Sequence, residues 1–118
     1  MLESAYEAIL VDQLRKRGLE VRTQVPIAVE FEGSRVDQGF RADIVVEQAL
    51  LIELKSIERL TRVHAKQVLT YLRFMHLPVG LLMNFGAPLF RDGLKRIVNR
   101  HSDTSGSQLR INQNAPNS

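Results

Sequence analysis

Apolar residues recur at helical spacing over the first turns of the chain: Leu2, Tyr6, Ile9, Leu10 and Leu14, with Gln13 on the same stripe. Arg15-Lys16-Arg17 followed by Gly18 is a stop signal, so the pattern predicts a helix over 2–17. From 21 to 31 the period drops to two. Val21, Thr23, Val25, Ile27, Val29 and Phe31 face one way, and Pro26 marks an edge strand or a bulge. Glu32-Gly33-Ser34 reads as a turn and 35–39 as a polar connection. Strands follow at 40–47 and 50–56, the second apolar on both faces. A helix is predicted from Thr61, its N-cap, to His76, with Pro78 beyond its end. Val79–Phe85 is a short buried strand. Residues 89–100 fit a helix loosely through Phe90, Leu94, Ile97 and Val98, or an edge strand at Lys95–Val98. The order α-β-β-β-α-β predicts an α/β (α+β) fold with a mixed sheet and a helical crossover to the last strand.

The 118 residues suit one domain, taken as 1–101, with a core that needs no staples. From Ser102 the chain is rich in Ser, Gly, Asn and Gln, and 102–118 reads as a disordered tail. With no cysteine, disulfides and thiolate metal sites are excluded. Early acids argue against a signal peptide, and no apolar run reaches the roughly 18 residues of a membrane span. The expected compartment is the cytoplasm. Net charge is +3, but the basic residues are grouped. Arg59, Arg62, His64 and Lys66 form one stretch; Arg91, Lys95, Arg96 and Arg100 form another. They would track a phosphate backbone if they flank a site, and otherwise make a solvated face.

Three charged residues interrupt the apolar strands: Asp43, Glu53 and Lys55. A buried charge is costly unless it is paired or holds a metal. Two carboxylates and an ammonium on adjacent strands could hold a divalent cation and activate water for phosphodiester hydrolysis. This requires a particular register. Pairing Val46 with Leu50 and Ile44 with Ile52, through the connection Glu47-Gln48-Ala49, sets Asp43 opposite Glu53, with Lys55 on the same face. A two-residue turn at Gln48-Ala49 would send Asp43 to the other side. The string D-x9-E-x-K equally fits a Glu53–Lys55 pair on an exposed strand. Glu3, on the stripe with Tyr6, Leu10 and Leu14, is a further metal ligand or an acid at a helix N-terminus. On the second helix, Ala65, Val68, Leu72 and Met75 make the core stripe. His64, Gln67 and Tyr71 make a polar-aromatic stripe that either faces the site or serves packing and solvent.

Five segments in order resemble the GxxExxY proteins, prokaryotic members of the PD-(D/E)XK nuclease-like superfamily. They are Leu2-Glu3-Ser4-Ala5-Tyr6-Glu7, Phe40-Arg41-Ala42-Asp43, Ile52-Glu53-Leu54-Lys55, His64-x-x-Gln67-x-x-x-Tyr71-Leu72 and Gly80-Leu81-Leu82-Met83-Asn84-Phe85-Gly86. The family's namesake glycine would fall ahead of Met1, which leaves Glu3 in the first turn. The resemblance implies a restriction-endonuclease-like αβββαβ core and Mg²⁺-dependent phosphodiester hydrolysis, with Mn²⁺ as a substitute. By position, Asp43 and Glu53 would bind the metal with Glu3, Lys55 would be the catalytic lysine, and Gln67 would assist. His64, Tyr71, Lys95 and Arg96 are the expected nucleic-acid contacts. The substrate expected is DNA in preference to RNA. The alternatives are a non-catalytic nucleic-acid-binding or assembly module with the same fold, or a subunit that completes its site as a homodimer.

Overall fold

The computed structural model describes residues 2–36 and 39–100. The expectation of a disordered tail falls on residues outside these. Helix α1 (Leu2–Lys16) leads into β1 (Val21–Pro26). A small hairpin follows, β2 (Val29–Phe31) and β3 (Ser34–Val36), and then the central hairpin β4 (Arg41–Val46) and β5 (Leu50–Lys55). Helix α2 (Arg62–Met75) carries the crossover to β6 (Val79–Asn84). A 3₁₀ turn, Phe90–Gly93, precedes β7 (Leu94–Val98). The main sheet runs β1-β4-β5-β6-β7, parallel only between β5 and β6, as a helical crossover demands.

Each face of the sheet carries one helix. Leu10, Val11 and Leu14 of α1 pack on Val21, Ile44, Val46, Ile52 and Leu54. Val68, Leu69 and Leu72 of α2 pack on Val45, Leu51, Leu82 and Ile97. Strand β5 serves both layers, Leu51 on one side and Ile52 and Leu54 on the other, which explains its unbroken apolar run. Helix α2 comes close enough to β6 that a methyl on Gly80 would lie 2.7 Å from Val68 Cγ1, so any larger residue there would force Val68 to shift.

Three expectations are corrected. The strand 21–31 is two strands: β1 ends at Pro26, and β2 pairs with β3 in a separate sheet that uses residues 34–36 of the expected connection. Glu32 and Gly33, at φ of 51° and 79°, make the tight turn between them. The strand's apolar residues do not share one face either. Val21 joins the α1 layer and Val25 and Ile27 the α2 layer, because Gln24 between them has a left-handed backbone, φ 50°, that breaks the period of two. On α1, Ile9 is 62% exposed and Val11 is buried in its place. The open choice at 89–100 resolves to an edge strand, β7, after the 3₁₀ turn.

Candidate active site at the open end of the central hairpin

The β4–β5 register is Val46 to Leu50, Val45 to Leu51 and Ile44 to Ile52, around the connection Glu47-Gln48-Ala49. This is the register that sets Asp43 against Glu53. The turn needs positive φ at two non-glycine residues, Glu47 (54°) and Gln48 (53°). It is held by Ala49 N–H donating to Val46 O (3.0 Å) and by the Glu47 carboxylate, which accepts Glu20 N–H at 2.6 Å.

Beyond Ile44 and Ile52 the strand pairing stops. Asp43 N–H donates to Glu53 Oε2 at 2.8 Å, and Leu54 N–H donates to Asp43 Oδ2, also at 2.8 Å. Two carboxylates thus take the place of backbone carbonyls where the strands part. This is why charges are tolerated in strands that otherwise read as core: each satisfies a buried N–H. Glu53 is only 5% exposed, which rules out the exposed Glu53–Lys55 pair. Its carboxyl is pushed up to about 8, first by burial and then by the negative charge of Asp43. The ammonium of Lys55, two residues on along the same face, opposes that shift. Glu3 adds to it.

Glu3 reaches the site from the first turn of α1, where its carboxylate accepts Ser56 N–H at 3.0 Å just past Lys55. Among the described residues, no group of three or more acidic or histidine side chains is placed to hold a metal ion. One helical turn beyond Glu3 is Glu7. Its carboxyl is raised by burial and by Asp43, against the lowering effect of a hydrogen bond from Gln24. Gln24 Nε2 also donates to Asp43 Oδ1 at 3.4 Å. Glu7 and Gln24 were not singled out in the sequence. The spacing of Glu7 from Glu3, four residues along one helix face, is the signal that could have found it. No sequence signal marks Gln24.

Tyr71 is buried, and its hydroxyl is raised by burial and by the charge of Glu53. Gln67 Nε2 donates to that hydroxyl at 3.3 Å. His64 is engaged in the helix cap, with Nδ1 accepting Thr61 N–H at 2.9 Å. Lys95 and Glu53 both pair with Leu82, so they share a row, two strand spacings or roughly 10 Å apart. Arg96 pairs with Leu81 and belongs to the opposite face of the sheet.

The loop after Lys55 is held by Asn84, which is 4% exposed. Asn84 Oδ1 accepts Ile57 N–H (2.9 Å) and Gly86 N–H (3.0 Å), and Nδ2 donates to Ile57 O (2.9 Å). Phe85 N–H donates to Lys55 O at 2.8 Å, and the Phe85 ring stacks on Tyr6 of α1 with centroids 3.8 Å apart. The end of β5 is therefore tied to both β6 and α1.

The five-stranded mixed sheet with a helix on each face is consistent with a restriction-endonuclease-like fold, and the family comparison agrees. A model of the PD-(D/E)XK nuclease superfamily matches residues 1–97, and the chain belongs to that superfamily. Nucleases of this superfamily generally use divalent metal ions. No curated protein matches the chain significantly. Among solved structures, the chain is similar to the crystal structure of SSO0001, with a TM-score of 0.60 and 18% identity over 97% of this chain. It spans 57% of that chain, and a likeness at this identity speaks for the fold. Among the described residues no helix is long and apolar enough to cross a membrane.

Proposed function

We propose that the protein is a metal-dependent nuclease hydrolysing phosphodiester bonds, with DNA as its substrate and Mg²⁺, or Mn²⁺ in its place, as its ion. The observation that carries this reading is the open end of the hairpin, where Asp43 and Glu53 are held on opposing backbone N–H groups with Lys55 on the same face. The donor set fits a hard divalent cation. Its atoms are carboxylate oxygens, and the buried Glu53, reluctant to ionise beside Asp43, lacks a nearby positive charge strong enough to offset that repulsion.

A bound cation would supply the charge that lets Glu53 ionise at neutral pH, and would acidify water and polarise a phosphate. Asp43 and Glu53 would hold that cation. Lys55 would orient the attacking water or stabilise charge developing on the phosphate oxygens. Glu3, through Ser56, would fix the end of β5. Tyr71 and Gln67 would support the acids from the α2 side, and Lys95 would extend the positive charge along the same row. The five segments shared with the GxxExxY proteins support a place near that family and the roles assigned here.

The test is cleavage of single- and double-stranded DNA and RNA with Mg²⁺ or Mn²⁺. Wild type should cut DNA, chelator should abolish cutting, and Glu53→Ala should lower the rate by roughly 10³-fold, the scale of losing a principal charge-stabilising group. Equal behaviour of wild type and Glu53→Ala removes the catalytic reading. Salt-dependent binding without turnover, insensitive to chelator, would make the protein a nucleic-acid-binding module instead.

A further inference from the structure

We propose that Gln24 is a positioning residue of the site, holding the Asp43 carboxylate from the neighbouring strand. Its backbone is the first observation. Residues 21–23 and 25–26 of β1 keep one continuous register with β4, and the position omitted is Gln24, which would face Asp43. There the chain turns left-handed, φ 50°, in a residue without glycine's freedom. Such a conformation persists only where its surroundings hold it.

The side chain supplies the second observation. One amide nitrogen with two N–H donors serves two carboxylates, Glu7 Oε1 at 3.1 Å and Asp43 Oδ1 at 3.4 Å. Asp43 Oδ2 is already taken by Leu54 N–H of β5. With Gln24, the Asp43 carboxylate is held from both neighbouring strands, one oxygen to each.

A purely architectural explanation competes with this one: the kink swings Val25 and Ile27 into the α2 layer. Substitution can separate the two. Gln24→Gly keeps the backbone turn and loses the amide. Gln24→Asn keeps an amide on a residue that tolerates this conformation, but is shorter by one methylene.

The first arm needs no metal. Thermal melting of the full chain is compared for Gln24→Gly in wild type and in the Glu7→Ala, Asp43→Ala background, which removes both acceptors of the Gln24 amide. Relief of backbone strain is common to both, whereas the amide contact is lost only in the first. The gain in Tm should therefore be larger in the neutralised background, by about 3 °C. Equal gains overturn the proposal.

The second arm rests on Asp43 being a metal ligand. In calorimetric titration with Mn²⁺, Gln24→Gly and Gln24→Asn should bind about tenfold more weakly than wild type while melting no lower. Unchanged affinity overturns the proposal, since a core-steering kink would leave metal binding alone. Should wild type take up no Mn²⁺, the metal reading fails by itself, and the melting comparison decides the role of Gln24.

Discussion

The two ends of the β4–β5 hairpin are built from the same strands and obey opposite rules. At the turn end, Ile44 to Val46 and Leu50 to Ile52 bond backbone to backbone, and their side chains fill both layers of the core. At the open end, carboxylates bond to the backbone N–H groups and the core is interrupted by charge. The first end holds the fold together. The second spends some of that stability on groups that repel one another, as expected where binding of a cation has to be favourable. Stability and activity should therefore respond in opposite senses to changes at the two ends.

The largest effect on stability is expected at the turn end. Leu51 is fully buried against α2, and Leu51→Ala should cost about 2–5 kcal/mol in denaturant unfolding, at any pH and with or without metal. A loss below about 1 kcal/mol would show that the hairpin is not the centre of the core.

The open end should behave differently with pH. The folded-state pKa of Glu53, about 8, is raised above its ordinary value of 4.5. Folding therefore favours the protonated form. The stability linked to this group is present below pH 4.5 and is lost as pH rises towards 8. Metal-free wild type should accordingly melt at a lower temperature at pH 8 than at pH 5. Glu53→Gln should flatten that slope and melt above wild type at pH 8, the reverse of the turn-end result, while losing activity. Mn²⁺ should raise the Tm of wild type more at pH 8 than at pH 5. A wild-type Tm that does not fall over this range would contradict the burial of an uncompensated acid.

Asn84 sharpens the comparison from outside the hairpin. It replaces backbone pairing with side-chain bonds, as Asp43 and Glu53 do, but carries no charge. Asn84→Ala should cost about 1–3 kcal/mol, with no dependence on pH between 5 and 8, because buried donors and acceptors lose their partners. Faster amide exchange at Ile57 and Gly86 would localise the change to the loop after Lys55.

Much of this site was legible in the residues. Asp43, Glu53 and Lys55 stand out because each interrupts an apolar run, and parity alone requires a three-residue connection for the acids to meet. Glu3 and Gln67 stood out on helix stripes that fitted a site or a bland role equally, and their contacts, with Ser56 N–H and the Tyr71 hydroxyl, were invisible in the sequence. The polar-aromatic stripe on α2 left open whether His64, Gln67 and Tyr71 face the site or serve packing and solvent. The structure separates them into a cap at His64, a buried support at Tyr71 and a link at Gln67. In β7 the strand period sends the adjacent Lys95 and Arg96 to opposite faces.

By itself the sequence determined the alternation of elements, the two apolar layers and the presence of three charges inside them, because hydrophobic periodicity and the cost of burying charge act locally. Only the tertiary structure decided that the first strand kinks at Gln24, that Glu7 joins the acids and that carboxylates complete the hairpin where its ladder ends. Those features come from backbone groups on different strands competing for partners, and their outcome depends on which strands lie side by side.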